Sequence, residues 1–128
     1  HYDALLRPKI EPLTSGSILT AIANDIGYED VFSFQLSMKS SPGDILVAIS
    51  ASGNSPNIVN AIKKAKELNM ETIAFVGFDG GEAAKLADIV LHVKEDNYGI
   101  IEDCHQSLMH ILAQHIRETN NRNNGIKL

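Results

Sequence analysis

The stretch that decides the fold is DILVAISASGNSPNIV, Asp44 to Val59. Ile45 to Ile49 is nearly all apolar, which predicts a strand buried on both faces, in a parallel sheet covered by helices. The chain then leaves through Ser50-Ala51-Ser52-Gly53-Asn54-Ser55. Ser55 is a good helix N-cap and Pro56 suits the first helical position. Ile58, Ala61, Ile62, Ala65 and Leu68 recur at helical spacing, and Asn69 suits a left-handed helix end. A run of hydroxyls with a glycine fills a core poorly and holds an anion well.

The pattern extends in both directions. Downstream, Glu71–Gly77 (ETIAFVG) reads as a second buried strand and Asp79-Gly80-Gly81 as a turn. Glu82–Ala87 reads as a short helix and Asp88–Val93 (DIVLHV) as a third strand. Ile101, Cys104, Leu108, Ile111, Leu112 and Ile116 form the apolar stripe of a long final helix, and 120–128 reads as a frayed polar tail. Upstream, Ser41-Pro42-Gly43-Asp44 is a turn. Asp30–Met38 is a helix presenting Val31, Phe32, Phe34 and Leu36. Ser15 or Ser17 caps an earlier helix with Ile18, Leu19 and Ile22 on its apolar face, stopped at Gly27. Pro12 interrupts a strand-like run, Lys9 to Thr14, which points to an edge position. Strands alternating with helices define an α/β fold with a parallel sheet, in one domain of 128 residues.

Composition narrows the function classes. The net charge is −5 and the 11 Lys and Arg are scattered, so no basic patch for nucleic acid is expected. Lys63, Lys64 and Lys66 sit with Glu67 on one helix, as a solvated face. Aromatics are 5% of residues, too few for stacking platforms on a single strand. No apolar run approaches the length of a membrane span. Cys104 is the single cysteine, so no disulfide forms within the chain and a reducing, cytoplasmic setting is expected. Its place on the apolar stripe predicts a buried structural thiol.

The serine loop follows a strand's carboxyl end, where open α/β sheets bind ligands. Helix N-termini offer free N–H groups and partial positive charge to phosphate, and Ser50, Ser52 and Ser55 each add a hydroxyl. Neither G-x-G-x-x-G nor G-x-x-x-x-G-K-[ST] is present, which favours a phosphorylated small metabolite over a nucleotide. Gly80-Gly81 reads as a plain strand-to-helix turn, and Asn24-Asp25 as a helix end. The final helix carries Glu102, Asp103, His105, Gln106, His110 and His115. Its histidines are five apart, about 140° around the helix, so they share no face and lack the i, i+4 pairing of a helical metal site. Gln106 and His110 do stand at i, i+4.

Ser50 to Asn57 resembles the sugar isomerase (SIS) domain family, and the match continues through AIKKAKELNMETIAFVGFDGGEAAKLADIVLHV. SILTAIANDIGYEDVFSFQL upstream and IIEDCHQSLMHILAQHI downstream look like the branch containing phosphoheptose isomerase. The resemblance covers Leu13 to Ile116. It implies a flavodoxin-like three-layer sandwich, with a parallel sheet flanked by helices, lacking here the N-terminal helix and first strand. It implies an aldose–ketose isomerase interconverting sedoheptulose 7-phosphate and D-glycero-D-manno-heptose 7-phosphate, for lipopolysaccharide heptose synthesis. It further implies a cytoplasmic homotetramer, often with zinc.

By the same resemblance Asn24 and Asp25 match a substrate-contacting pair. Ser50, Ala51, Ser52 and Ser55 match the phosphate loop, and His110 matches an acid/base histidine that also ligates zinc. Glu102 stands where the family usually has Gln, a substrate and metal contact; Glu can still bind zinc. The family's Gly-Asn-Gly-Gly-Ser loop is not among these 128 residues, and further residues are expected before His1. His1 could match a histidine that is followed four residues on by the base Glu, but Leu5 stands there. Glu102 and His110 lie roughly 12 Å apart along a continuous helix, so a bent helix or an active site shared between subunits is expected. The alternative implied by the same architecture is a non-catalytic partner-binding protein similar to the DnaA initiator-associating protein.

Overall fold

A computed structural model describes residues 9–123. The elements run α1 (Gly16–Asp25), a 3-10 turn (Tyr28–Asp30), α2 (Ser33–Lys39), β1 (Ile45–Ser50), α3 (Pro56–Glu67), β2 (Glu71–Val76), α4 (Gly81–Leu86), β3 (Ile89–His92) and α5 (Tyr98–Asn123). The three strands are parallel in the order β1-β2-β3. Helices cover both faces, so the α/β three-layer architecture stands as expected.

The register assigns the faces. Ile45 pairs with Glu71 and Ile73 with Ile89. Side chains alternate along a strand, so Leu46, Ala48, Thr72, Ala74, Val76 and Val90 share one face. There Leu46, Ala48, Ala74 and Val76 pack with Leu36 of α2, Ala61, Ile62 and Ala65 of α3, and Ala83 of α4. Each fully buried large aliphatic contributes about 1.5–3 kcal/mol over exposure. The opposite face carries Ile45, Val47, Ile49, Ile73, Phe75, Ile89 and Leu91. α5 covers this face at Phe75, where His105 meets the ring edge-on at 5.8 Å.

Here the structure corrects the expectation that β1 is buried on both faces. Burial along it alternates, and Ile45, Val47 and Ile49 are 57%, 48% and 41% exposed. The apolar run reads as two-sided because both its faces are apolar; among the described residues β1 is covered on one face only, while α5 lies over Phe75 of β2 on the other. The stripe on α5 is corrected for the same reason. Ile101 and His105 are buried and Cys104 is half-buried, but Ile111, Leu112 and Ile116 are exposed. The helix also continues through residues 120–123, first read as frayed; 124–128 lie outside the described residues.

Smaller differences have local causes. The helix expected from Asp30 begins at Ser33, because Tyr28–Asp30 forms a tight 3-10 turn instead. Lys9 to Thr14 forms no strand. This entering segment is held by Gln35, whose Nε2 donates to the Leu13 carbonyl at 3.1 Å and to the Val31 carbonyl at 2.8 Å. Asn69 does take the left-handed conformation, at φ 58°.

A polar network ties β3 to its neighbours. The Asp88 carboxylate accepts from Lys66 Nζ (2.8 Å), Thr72 N (2.9 Å) and Thr72 Oγ1 (2.9 Å). The Lys66 and Thr72 hydrogen bonds lower its pKa from 3.8 to about 2. A carboxylate acidified by folding stabilises fully above its unfolded pKa and loses that contribution as pH falls through the folded one. Urea midpoints should therefore show wild type ahead of Asp88→Asn at pH 7, with the gap closing between about pH 4 and pH 2. A gap independent of pH would show that the carboxylate's charge is not what matters.

Candidate active site

The serine loop begins where β1 ends. Ser50 is 7% exposed, and both its carbonyl and its Oγ accept from Gly53 N at 3.1 Å. Its hydroxyl donates toward Ser55 Oγ at 3.4 Å, and Ser52 Oγ accepts from Asn54 N at 3.2 Å. Ser55 occupies the N-cap position of α3, but its hydroxyl makes no capping bond, contrary to expectation. Instead Asn57 Oδ1 accepts from Ile58 N at 2.9 Å. Ser52 and Ser55 thus stand half-buried at the positive end of a 12-residue helix, the arrangement that favours an anion.

Gly53 is required by a close approach. Its φ is +68°, and a Cβ there would lie 2.0 Å from the Gly80 carbonyl oxygen. The Gly80–Gly81 turn is thus a plain turn, as read, but it is also the floor beneath the serine loop. Ala83 N donates to the Gly53 carbonyl at 2.9 Å and Glu82 N to Asn54 Oδ1 at 3.0 Å. These contacts take two N–H groups of the first turn of α4, and Asp79 Oδ1 and the Gly80 carbonyl take those of Gly81 and Ala84. Sequence reasoning missed the interlock. The available signal was positional: both glycine-bearing loops leave adjacent strands at the paired residues Ser50 and Val76.

α5 reaches the same end of the sheet. His105 Nε2 bonds the carbonyl of Val76 at 3.0 Å, and Ile101 packs on Gly77, where a Cβ would lie 2.5 Å from its Cδ1. Gly77 N in turn donates to the Ala51 carbonyl at 2.7 Å. The turn carrying Glu102 is therefore linked to the serine loop through one shared residue. Glu102 and His110 are both exposed, and Gln106 Nε2 lies 3.3 Å from His110 Nε2.

Asn24 and Asp25 end α1, exposed, with Asn24 Nδ2 donating to Asp25 Oδ1 at 2.8 Å. They approach α3 through the 3-10 turn, where Asn60 Nδ2 donates to the Glu29 carbonyl at 3.3 Å. Phe78, also missed, stands at φ +45° just past β2. Its N–H donates to the Glu95 carbonyl, its carbonyl bonds His92 Nε2, and its ring packs edge-on against Tyr98.

Among the described residues no three His, Cys, Asp or Glu side chains converge as a metal would need. α5 is continuous from Tyr98, so a bend or late start does not bring Glu102 and His110 together. They supply at most two of the four donors of a tetrahedral site, and His1 lies outside the described residues. No chemical step is assigned to the metal.

Fold and site together define a class of domain: a parallel α/β sheet with a serine-rich loop opening a helix at its carboxyl edge. The SIS domain family model matches residues 1–77, and the chain belongs to that family. It is 47% identical over 117 residues to the phosphoheptose isomerase of Sulfurimonas denitrificans, covering 91% of this chain and 60% of that one. Its fold is similar to the phosphoheptose isomerase GmhA from Neisseria gonorrhoeae, with TM-score 0.80 and 41% identity over 82% of this chain and 59% of that chain. It is also similar to the phosphoheptose isomerase from Francisella tularensis, with TM-score 0.81 and 32% identity over 91% and 64%. The chain spans between 51% and 60% of the length of curated relatives it matches.

Proposed function

We propose that this chain carries the phosphate-anchoring loop and an acid/base histidine of a phosphoheptose isomerase. The reaction interconverts sedoheptulose 7-phosphate and D-glycero-D-manno-heptose 7-phosphate, on the route to lipopolysaccharide heptose. The observation that carries this reading is the serine loop at the head of α3, with the Glu102 turn of α5 tied to it through Gly77 and Ala51, in a chain 47% identical to a named phosphoheptose isomerase.

The chemistry moves one proton between neighbouring carbons. A base takes a proton from C1 of the ketose while the C2 carbonyl oxygen gains one, giving the enediol; the proton then returns to C2 as the C1 hydroxyl gives up its own and becomes the aldehyde carbonyl. Such a step needs a carbon base, an acid at oxygen and stabilisation of the developing oxyanion. His110 is assigned the proton at oxygen, for which imidazole is suited near neutral pH. The carbon base is assigned outside the described residues. Ser52 and Ser55 bind the remote phosphate, so binding energy there positions the reacting carbons. Asn24, Asp25 and Glu102 are assigned to the sugar hydroxyls.

The assembly proposed is a cytoplasmic homotetramer with its active site at a subunit interface. The exposed apolar residues Ile111, Leu112 and Ile116 on α5, with Ile45, Val47 and Ile49 on the sheet, support it. Among the described residues no helix is long and apolar enough to cross a membrane.

The direct test incubates the full-length protein with sedoheptulose 7-phosphate, with and without added zinc, and looks for the aldose. No turnover in either case would sink the enzyme reading and leave a partner-binding SIS module. Light scattering on active protein tests the assembly; a catalytically competent monomer counts against the shared site. Ser52→Ala and Ser55→Ala should each raise KM about tenfold and leave kcat within about twofold, since a hydrogen bond to a charged group contributes roughly 1.5 kcal/mol. A fall in kcat with unchanged KM would contradict the anchoring role.

A further inference from the structure

We propose that Asn54 is a positioning residue whose carboxamide locks the serine loop onto the first turn of α4, setting the shape of the phosphate cradle without touching the phosphate. The proposal rests on the reading of that loop as a phosphate anchor. Asn54 is exposed, yet its polar groups bond in two directions. Its N–H donates to Ser52 Oγ at 3.2 Å, and its Oδ1 accepts from Glu82 N at 3.0 Å. The first bond occupies an acceptor site on the Ser52 hydroxyl and leaves that hydroxyl's proton to donate elsewhere. The second bond connects the same residue to a different strand-to-helix turn, 28 residues on.

The fit is close on both sides. A Cβ on Gly81 would stand 2.6 Å from Asn54 Oδ1, 2.6 Å from the Ser52 carbonyl and 2.7 Å from the Gly53 carbonyl carbon. Gly81 itself has φ +55°, and its N–H is held by Asp79 Oδ1 at 3.1 Å. Ala83 N donates to the Gly53 carbonyl beside these contacts. The loop between Ser52 and Asn54 is thus bonded to α4 at two consecutive residues, 53 and 54. Of these bonds only the Asn54 one uses a side chain, and so only that one can be removed by substitution without altering the backbone.

The test uses the full-length protein, with hydrogen exchange at the Glu82 amide and steady-state kinetics on sedoheptulose 7-phosphate. In Asn54→Ala the Glu82 amide should exchange about fivefold faster, the effect of losing one hydrogen bond. KM should rise about tenfold with kcat within about twofold. Asn54→Asp keeps an acceptor oxygen and should restore Glu82 protection. Unchanged Glu82 exchange in Asn54→Ala would overturn the proposal. So would a raised KM with Glu82 protection intact, because Asn54 would then act on the ligand directly. Wild-type protein that binds neither inorganic phosphate nor sedoheptulose 7-phosphate would remove the phosphate reading alone, and the Glu82 exchange would still decide whether the lock exists.

Discussion

His110→Ala should lower kcat on sedoheptulose 7-phosphate by about 10²–10⁴-fold, the usual contribution of a positioned acid or base. KM should change little, because the proposed phosphate anchor at Ser52 and Ser55 is left intact. The fold should survive, since His110 is exposed on α5 and its close polar neighbour is Gln106, one turn back. Circular dichroism and the thermal midpoint check that point. His105→Ala provides the contrast. His105 is 2% exposed, bonds the Val76 carbonyl and packs on Phe75, so its loss should appear chiefly in stability. If His110→Ala turns over as wild type does, the acid/base assignment fails.

Gly53→Ala should destabilise the protein by about 3 kcal/mol or more, toward the upper end of single substitutions. Two costs combine. The φ of +68° is a left-handed conformation that disfavours a side chain, and the new Cβ would meet the Gly80 carbonyl oxygen at 2.0 Å. That neighbour is backbone, so it cannot swing aside as a flexible side chain would. Separating the two loops would break the Ala83-to-Gly53 and Glu82-to-Asn54 hydrogen bonds together. Gly16→Ala is the control, since a Cβ there meets nothing within 4 Å. Chemical denaturation of both variants measures the difference. A Gly53→Ala midpoint equal to that of Gly16→Ala would show that the loops are not locked.

The order of elements was legible because β1, β2 and β3 are compact apolar runs punctuated by Asp44, Asn69-Met70 and Ala87-Asp88. The loop after β1 was legible for a different reason: its residue types are wrong for any core. Which faces are covered could not be read. Ile45 and Val47 are as apolar as Leu46 and Ala48, and hydrophobicity does not report whether a neighbour is present. Ser55 shows another limit. An N-cap preference names a position on the helix, whereas the partner of a hydroxyl depends on its rotamer and on competitors such as Asn57 Oδ1. The left-handed Phe78 had no sequence signal, since its conformation is held from outside by His92 and Glu95. Asn24, Asp25, Glu102 and His110 were named through family resemblance. Their spacing along the chain carries no comparable information.

α5 is held at one end. Burial ends after the turn of His105, with Leu108 and Met109 half-covered, and every residue from His110 to Thr119 is exposed. From His105 to Asn123 the helix extends roughly 27 Å beyond its fixed point. The hydrogen bond to the Val76 carbonyl is therefore the last buried attachment along the helix. A tilt of about 10° there would carry the far end by roughly 5 Å and the His110 Cα, about 7.5 Å out, by somewhat over 1 Å. Displacements of that size can cost about a hundredfold in rate. On the proposed isomerase reading, contacts that hold residues 110–123 set where His110 stands, and the rate should respond to substitutions at the exposed Ile116.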